Sequence, residues 1–280
     1  MPEMPEVQAH AERLSAADTG RLLRRFVPLT FTALKTAVPA PDDAYGRPLV
    51  GVGRRGKFLL LDFEPVTFVV HLMQGGRLVV DAKQAAKPNR GQARWVFADD
   101  GPALLLTEQG TERKAGVWCV PTDAVATSPP IAGLGPEAAT IEVDELAARF
   151  ADRNMRLHGF LRDQRQVAGI GRRLANEVLH RAKLSPFVMT GKLSEADATA
   201  VVTAIHDAVA EGLEYERGRD DMSSSKDSPG RVHGRTGNAC SVCGDTVRAV
   251  SYSGYTVNYC PTCQTGGKVL ADNTTSKFLK

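Results

Sequence analysis

The chain has 280 residues, of which 42% are hydrophobic and 24% are charged. This balance is typical of a globular protein and excludes a largely disordered one. The length is about twice that of a typical domain, so we expect two domains or more. The formal net charge of +3 is too small to indicate a partner. The sequence has no apolar run near the roughly 20 residues of a membrane-spanning helix, and its acidic start is unlike a secretory signal. Four of the five cysteines form two close pairs, which is unlike a disulfide framework, so we expect a protein of the reducing cytoplasm.

The first 130 residues predict one helix followed by short strands. Pro5 suits the first turn of a helix, and the apolar residues after it recur at helical spacing. Runs rich in Val, Leu and Phe come next, separated by clusters of Gly and Asp. The predicted strands are 58–63, 66–72, 78–80, 95–97 and 103–106. This pattern is typical of antiparallel strands in a sandwich or barrel.

From 127 to 135 the chain is rich in Pro and Gly, which predicts a linker, and the pattern beyond it is helical. Amphipathic stretches at 174–182 and 196–213 predict two helices. Ser194 and Asp197 have the spacing of a capping box at the start of the second helix. Residues 217–237 are rich in Gly, Ser, Arg and Asp, which indicates a mobile loop.

Two Cys-x-x-Cys motifs separated by 16 residues give the strongest local signal. This spacing is typical of four thiolates that surround one Zn²⁺ in a two-hairpin ribbon. The alternative, four unrelated free thiols, does not explain the spacing. Four thiolates complete the coordination shell, so the predicted zinc is structural and not catalytic. The predicted ligands are Cys240, Cys243, Cys260 and Cys263. The fifth cysteine, Cys119, follows Trp118 in an apolar strand and is expected to pack in the core.

Positive charge is concentrated between residues 153 and 183, where eight basic residues stand against two acidic ones. This stretch includes VAGIGRR, a glycine turn that opens a helix, with Arg172 and Arg173 in the first turn. Backbone N–H groups at a helix start, reinforced by arginine, form a seat for phosphate. A solvated helix face explains the charge equally well on this evidence alone.

The start of the chain carries a possible nucleophile. Removal of Met1 would expose the secondary amine of Pro2, whose pKa lies far below that of lysine. Such an amine attacks an aldehydic carbon and forms an iminium, and Glu3 beside it is placed to act as acid or base. Met-Pro-Glu is also a common start, so these residues do not decide the function by themselves.

Four separated stretches match known motifs. MPEMPEV at the start is similar to MPELPEVE, and RRGKFLLL at 54–61 is similar to RRGKYLL. DQRQVAGIG at 163–171, followed by ANEVLHRAKLSP, is similar to a helix–two-turn–helix, and the cysteine ribbon ends in CPTCQ. In their order and spacing these stretches resemble the formamidopyrimidine-DNA glycosylase and endonuclease VIII family. The chain is identified as a divergent member of that family of base-excision enzymes.

The resemblance implies an α+β fold. It comprises an N-terminal β-sandwich with an opening helix, then a helical domain with the helix–two-turn–helix and a C-terminal four-cysteine zinc ribbon. The implied parts are a catalytic domain at 1–130, a DNA-binding domain at 136–218 and the ribbon at 235–268. The tail, 269–280, is expected to be disordered.

The resemblance also implies a DNA glycosylase that is at the same time an abasic-site lyase. Pro2 would attack C1′ of the damaged nucleotide, and β,δ-elimination would nick the strand. Glu3 would act as acid and base on the sugar, while Lys57 would contact a phosphate near the lesion and Glu6 would support the site. The implied partner is damaged DNA, double-stranded and also single-stranded, bound in a cleft by a monomer. No membrane partner is implied.

Three departures from the family motifs fall in the DNA-binding half. The asparagine after the glycine turn is Arg172, and the lysine a few residues before DQ is His158. The arginine after the hairpin glycine is Tyr255. We expect Arg172 and Arg173 to contact phosphate. Tyr255 lacks the positive charge with which that arginine contacts DNA phosphate. Its ring can instead stack on a base, or its hydroxyl can hydrogen-bond to phosphate.

Further departures concern the side chains that fill the gap left by a flipped base. The motif HLxMSG is HLMQGG here, so Gln74 stands at the intercalating position, next to Met73. Met73 has the alternative of packing in the core, and His71 is expected to be structural. The motif DxRxFG is replaced by EQGTERKAG at 108–116, which predicts weaker reading of the opposite base. The short serine-rich loop at 217–233 favours oxidised pyrimidines or abasic sites over 8-oxoguanine.

Two other functions compete with the bifunctional glycosylase. A lesion-binding protein that has lost base excision would explain the altered wedge, Arg172 and Tyr255. It would leave the retained Pro2, Glu3 and Lys57 without a purpose. A zinc-ribbon factor that binds RNA or the ribosome would explain the cysteines and arginines but not the N-terminus. The glycosylase accounts for all of these features.

Overall fold

The computed structural model describes residues 1–109, 113–222, 227–252 and 254–271. It forms two compact units. The first contains residues 1–134 and 219–222, and the second contains residues 135–218 and the described residues from 227 onward. Within the described part of the chain, every helix is too short or too polar to span a bilayer.

The first unit opens with helix α1 (Met4–Asp18) and continues with two antiparallel four-stranded sheets. Their orders are β1-β6-β7-β5 and β2-β3-β4-β8. The strand bounds are β1 (Leu23–Pro28), β2 (Gly51–Arg55), β3 (Phe58–Asp62), β4 (Val66–His71), β5 (Gly76–Asp81), β6 (Gly91–Phe97), β7 (Ala103–Glu108) and β8 (Gly116–Pro121). This arrangement confirms the predicted sandwich with its opening helix.

Aromatic side chains from both sheets meet in the core between them. The Phe68 ring of β4 lies 5.8 Å from the Trp95 ring of β6, and Phe26 of β1 lies 5.1 Å from Phe68, measured between ring centroids. Cys119 of β8 is fully buried in the same cluster, as expected for a packing residue. Burial raises the pKa of its thiol to about 12, so it is inert at neutral pH.

The turn between β4 and β5 leaves no room for a side chain at Gly76. A Cβ there would overlap the carbonyl oxygen of Leu72, which already accepts the N–H of Gly76 at 2.7 Å. We expect Gly76→Ala to lower the free energy of unfolding by about 1–3 kcal/mol, because the backbone must shift. Gly53→Ala is the matched control, since its Cβ would lie 3.9 Å from the nearest atom, in Leu60. Denaturant unfolding that gives equal stability for the two variants would contradict this expectation.

The second unit is mainly helical. Ser194 caps the longest helix through its hydroxyl, which accepts the N–H of Asp197 at 3.2 Å, and this confirms the predicted capping box. The elements are α2 (Val143–Asp152), α3 (Leu157–Arg162), α4 (Arg172–Arg181), α5 (Glu195–Arg217), β9 (Arg248–Tyr252), β10 (Tyr255–Tyr259) and α6 (Pro261–Thr265).

Helices α3 and α4, with the two turns between them, form the helix–two-turn–helix. The side-chain amide of Gln164 holds the turns together. Its nitrogen donates to the carbonyls of Arg162 and Ile170 at 2.9 and 2.8 Å, and its oxygen accepts the N–H of Gly169 at 3.0 Å. Gly169 has φ +100, a conformation that favours glycine. Gly169 of the sequence motif therefore serves the turn geometry.

The segment before the ribbon is more ordered than its composition predicted. The buried carboxylate of Glu177 on α4 accepts the backbone N–H groups of Arg231, Val232 and His233 at 2.8–3.1 Å. Val232 is fully buried. The prediction of a mobile loop at 217–237 is thus wrong for 231–233, because a polar anchor from a distant helix does not show in local composition. Residues 223–226 lie outside the described residues.

The ribbon packs on the helix–two-turn–helix within the second unit, where Asn258 of β10 donates its N–H to Asn176 of α4 at 3.4 Å. The separate boundaries predicted for the two parts, 136–218 and 235–268, stay a prediction. The start of the predicted tail is anchored, since the N–H of Leu270 donates to the Tyr259 hydroxyl at 2.8 Å. Residues 272–280 lie outside the described residues.

Candidate active site and nucleic-acid interface

The N-terminal residues are held at the start of α1. Pro2 is buried, and Glu3 and Glu6 are 4% and 2% exposed. The N–H of Glu3, the N-cap residue, donates to the Glu6 carboxylate at 3.0 Å as part of a capping box. This bond fixes the peptide that follows Pro2. Glu6, assigned from the sequence to support the site, therefore has a contact through which it positions Glu3.

Lys57 lies in the turn between β2 and β3 and is 4% exposed. Arg54 connects this turn to α1. Its Nε donates to the side-chain oxygen of Gln8 at 2.9 Å, and its Nη1 donates to the carbonyl of Gly56 at 2.9 Å. The turn that carries Lys57 is thereby joined to the first two turns of the helix that carries Glu3.

His71 at the end of β4 pairs with Phe58 of β3, and their rings lie 4.5 Å apart. Burial, helped by the positive charge of Lys57, lowers the pKa of His71 to about 4. The imidazole is therefore neutral at pH 7, and its Nδ1 lies 2.7 Å from the sulfur of Met73. Met73 is half-buried with φ +52, whereas Gln74 is exposed at the turn. Of the two predicted gap-filling residues, Gln74 is the more exposed.

The Gln74 turn is fastened to the segment that follows β7. The N–H of Gln109 donates to the carbonyl of Gly75 at 2.9 Å, and a Cβ on Gly75 would overlap the Gln109 backbone. The Gln109 side chain in turn contacts the guanidinium of Arg90. Arg90 and Gln109 belong to no sequence motif, so the sequence alone gives no sign of this contact. Residues 110–112 of the replaced loop lie outside the described residues.

The two arginines at the start of α4 have different surroundings. Arg172 is exposed at the first helical position, beside the N-cap Gly171. Arg173 is only 5% exposed and lines a cavity of about 170 Å³ with Glu177, Arg181 and other residues. The sequence paired them as phosphate contacts, but adjacent helical residues point about 100° apart. Arg172 is therefore the better placed of the two.

Tyr255 is engaged within the second unit. The Cζ of Arg162 lies 3.9 Å from the centroid of its ring, and the His158 ring is stacked with it at 5.6 Å. At least one face of the ring is therefore covered by protein. The predicted stacking of this ring on a base, or bonding of its hydroxyl to phosphate, stays a prediction.

The four cysteines come together with a histidine. The Sγ atoms of Cys240 and Cys263 lie 3.9 Å apart, and those of Cys243 and Cys260 lie 3.4 Å apart. Tetrahedral Zn–S bonds of about 2.3 Å require sulfurs about 3.8 Å apart, so the donors fit such an ion. His180 of α4, which the sequence analysis missed, places its Nε2 3.3 Å from the Cys240 Sγ. Its ligand atom lies within 4.8 Å of those of Cys240, Cys260 and Cys263. The cluster can bind a metal ion.

Comparison with known proteins agrees with this geometry. Residues 1–116 match the formamidopyrimidine-DNA glycosylase N-terminal domain, and residues 132–224 match the formamidopyrimidine-DNA glycosylase H2TH domain. A formamidopyrimidine-DNA glycosylase of Bordetella avium is 33% identical over 280 residues, covering 94% of this chain and 99% of that protein. An uncharacterized formamidopyrimidine-DNA glycosylase-like protein of Mycobacterium tuberculosis is 44% identical over 160 residues, covering 56% of this chain and 100% of that protein.

Among solved structures, MutM in complex with DNA containing carbocyclic 8-oxo-G superimposes with a TM-score of 0.82. The match covers 94% of this chain and 100% of that chain at 20% identity, and it establishes the fold. The sequence relatives that match over nearly the whole chain establish the family as well as the fold. The chain belongs to the formamidopyrimidine-DNA glycosylase family.

Proposed function

We propose that this protein is a bifunctional DNA glycosylase and abasic-site lyase that acts through the amine of Pro2. The observation that carries the proposal is the arrangement at the start of α1. Pro2 is buried, the carboxylates of Glu3 and Glu6 that follow it are buried too, and Glu6 accepts the N–H of the Pro2–Glu3 peptide. Hydrogen bonds through Arg54 join this helix to the Lys57 turn. Two buried carboxylates next to the proposed nucleophile are costly for stability alone, and such groups cluster where chemistry is done.

Base excision follows from this arrangement once Met1 has been removed. The neutral Pro2 nitrogen attacks C1′, the bond from C1′ to the base breaks, and the base leaves with the electron pair. The proton that the attacking Pro2 nitrogen loses neutralises the departing base. Glu3 then protonates the ring oxygen of the sugar, so that the ring opens and the C1′–N bond becomes an iminium. The result is a covalent protein–DNA intermediate.

Strand cleavage uses the same iminium. The iminium acidifies the C2′ hydrogen, and loss of that proton to a carboxylate expels the 3′ phosphate by β-elimination. A second proton loss, from C4′, expels the 5′ phosphate by δ-elimination, and water then hydrolyses the iminium to regenerate Pro2. Lys57 supports these steps because its ammonium stabilises charge on a departing phosphate. The neutral His71 beside it adds no competing positive charge.

The cysteine cluster has a structural role in this proposal. The thiolates of Cys240, Cys243, Cys260 and Cys263 would hold one Zn²⁺, which would cross-link the ribbon. His180 would donate a hydrogen bond from its Nε2 to Cys240. Hydrogen bonds of this kind orient a ligand and adjust its basicity. The ribbon is thereby tied to α4.

The proposed substrate is an oxidised base or abasic site in duplex DNA, with single-stranded DNA also accepted. The exposed polar Gln74 supports this choice, because an amide fills the gap left by a flipped base less tightly than an apolar wedge. We infer that the protein acts as a monomer in association with the nucleoid. The same exposed Gln74 favours the second candidate, a lesion-binding protein without base excision.

Borohydride trapping tests the proposed chemistry. The protein is incubated with oligonucleotides that carry an abasic site, single- and double-stranded, and then with a lesion panel. N-terminal mass analysis establishes whether Pro2 is free. A trapped adduct that disappears in Pro2→Gly supports the iminium mechanism. A free Pro2 with salt-sensitive binding but without an adduct would contradict it and leave the lesion-binding alternative.

A further inference from the structure

The tip of the ribbon hairpin contacts helix α3 through three side chains. Tyr255 comes directly after Gly254, which has φ +79 at the turn. The Tyr255 ring lies against the guanidinium of Arg162 and the imidazole of His158. The two rings are nearly parallel, with 18° between their planes. His158 and Arg162 are four residues apart on α3, so they lie on one face of the helix. We call these three residues the α3 stack.

Two members of the α3 stack are departures from the family motifs. His158 stands where the motif has a lysine, and Tyr255 stands where the ribbon motif has an arginine. The structure shows that these two positions contact each other, so the departures form one local exchange and not two independent losses. The exchange removes two basic side chains. It leaves Arg162 as the guanidinium that lies on the new ring.

Arg162 retains a charge that is not neutralised by a nearby acid. In the part of the chain that the structure describes, no carboxylate lies within ion-pair distance of its guanidinium. Arg165, three residues further on, differs in this respect, because it forms an ion pair with Asp163 at 3.1 Å. Arg162 is half-buried against the Tyr255 ring. Its charge is available to an anionic ligand, whereas that of Arg165 is offset.

The location of Arg162 agrees with such a ligand. Arg162 ends α3, and the Gln164 amide bonds both its carbonyl and the carbonyl of Ile170, one residue before the N-cap of α4. The positive end of a helix dipole attracts phosphate, and Arg172 is exposed at the start of α4. Arg162 and Arg172 therefore stand at the two ends of the segment that joins α3 to α4.

We propose that Arg162 is a DNA-phosphate contact of this protein, positioned by Tyr255 and His158, and that it replaces the two family cations missing at 158 and 255. This inference rests on the proposed function, since it assumes DNA as the ligand. A guanidinium stacked on an aromatic ring keeps its in-plane N–H groups free, and these match the oxygens of a phosphate. The ring also restricts the side chain before DNA arrives, which lowers the entropy lost on binding.

The test is the salt dependence of binding to a duplex that carries a tetrahydrofuran abasic analogue. Arg162→Gln is expected to weaken binding about tenfold, as for loss of one charge-assisted contact. It should also reduce the slope of log K against log salt by about 0.9, the value for one phosphate. Arg165→Gln is the matched control, a neighbouring arginine that is already ion-paired. Its slope should equal that of the unmodified chain.

Positioning is tested at Tyr255. Tyr255→Leu should weaken binding about threefold to tenfold, by loss of the cation–π contact. Tyr255→Phe should recover most of that loss, because the ring is retained. In the double variant with Arg162→Gln, the Tyr255→Leu change should add little, since it acts through Arg162.

The outcomes separate the two proposals. An unchanged slope in Arg162→Gln, or strictly additive losses in the double variant, overturns the role of Arg162 while borohydride trapping still reports on Pro2. If Tyr255→Leu does not fold, Arg162→Gln and Tyr255→Phe remain measurable. An unchanged slope in Arg162→Gln then still overturns the role of Arg162. If borohydride trapping succeeds but Arg162→Gln does not change the salt dependence of DNA binding, the proposed enzyme activity stands and the role of Arg162 is rejected. Absence of DNA binding by the unmodified chain would reject both.

Discussion

Replacing Glu3 with glutamine is expected to slow base excision by about 10²–10⁴-fold, the usual contribution of a general acid–base. The amide keeps the size of the side chain but can neither donate a proton to the ring oxygen nor accept one from C2′. Glu3 is 4% exposed, so bulk water cannot readily take over its role. Single-turnover measurement of base release from an oxidised-pyrimidine duplex gives the rate.

The matched control is Glu12→Gln on the same helix. Glu12 accepts a hydrogen bond from the Gln8 side chain at 3.0 Å and lies two turns away from the start of α1. Its substitution should leave the rate within about twofold, as for surface changes far from a site. Melting temperatures of the two variants exclude unfolding as the cause. A Glu3→Gln enzyme within threefold of the unmodified rate would show that another group supplies the proton.

The sequence could predict the central strands of the sandwich but not the edge strands β1 and β2. Strands β3, β4 and β7 are buried on both faces or nearly so, and their apolar runs are visible in the sequence. β1 and β2 lie at sheet edges and include Arg24, Arg25, Arg54 and Arg55, so no apolar pattern marks them. The turn carrying Lys57 was found only through its resemblance to a family motif.

The candidate site shows the same limit. The motifs identify Pro2, Glu3 and the cysteines, because these positions depend on chemistry that few residues can replace. They do not show that His158 and Tyr255 contact each other, since a motif is read one position at a time. They also miss His180, which reaches the cysteine cluster from the buried face of α4. Contacts between distant segments decide what a departure from a motif means.

In the proposed DNA complex, these contacts make α4 the element that links the proposed phosphate contacts to the ribbon. Its start carries the exposed Arg172, its middle carries Glu177, which anchors the segment before the ribbon, and its end carries His180. The ribbon in turn places Tyr255 on α3. Loss of the ribbon would therefore affect more than the hairpin itself.

Removal of the metal is expected to cause the largest loss of DNA affinity of any change considered, about 100-fold or more. Structural zinc contributes about 10–16 kcal/mol to the folding of zinc-finger peptides, so the ribbon should unfold without it. Unfolding breaks the contact of Tyr255 with Arg162 and that of Gln264 with the carbonyl of Leu184 at 3.0 Å. Chelation followed by binding to abasic-analogue DNA measures the loss, and added Zn²⁺ should restore binding.

Two variants sharpen this test. Cys260→Ala should abolish zinc binding, while Cys119→Ala, a buried cysteine of the first unit, should leave the zinc content at one per chain. His180→Phe keeps all four thiolates and should lower zinc affinity about 10–100-fold, as for loss of a hydrogen bond to a ligand. Complete loss of zinc in His180→Phe would make the histidine a ligand itself. Full DNA affinity after chelation would show that the ribbon folds without metal, and the coupling of the cysteine cluster to α3 would then be wrong.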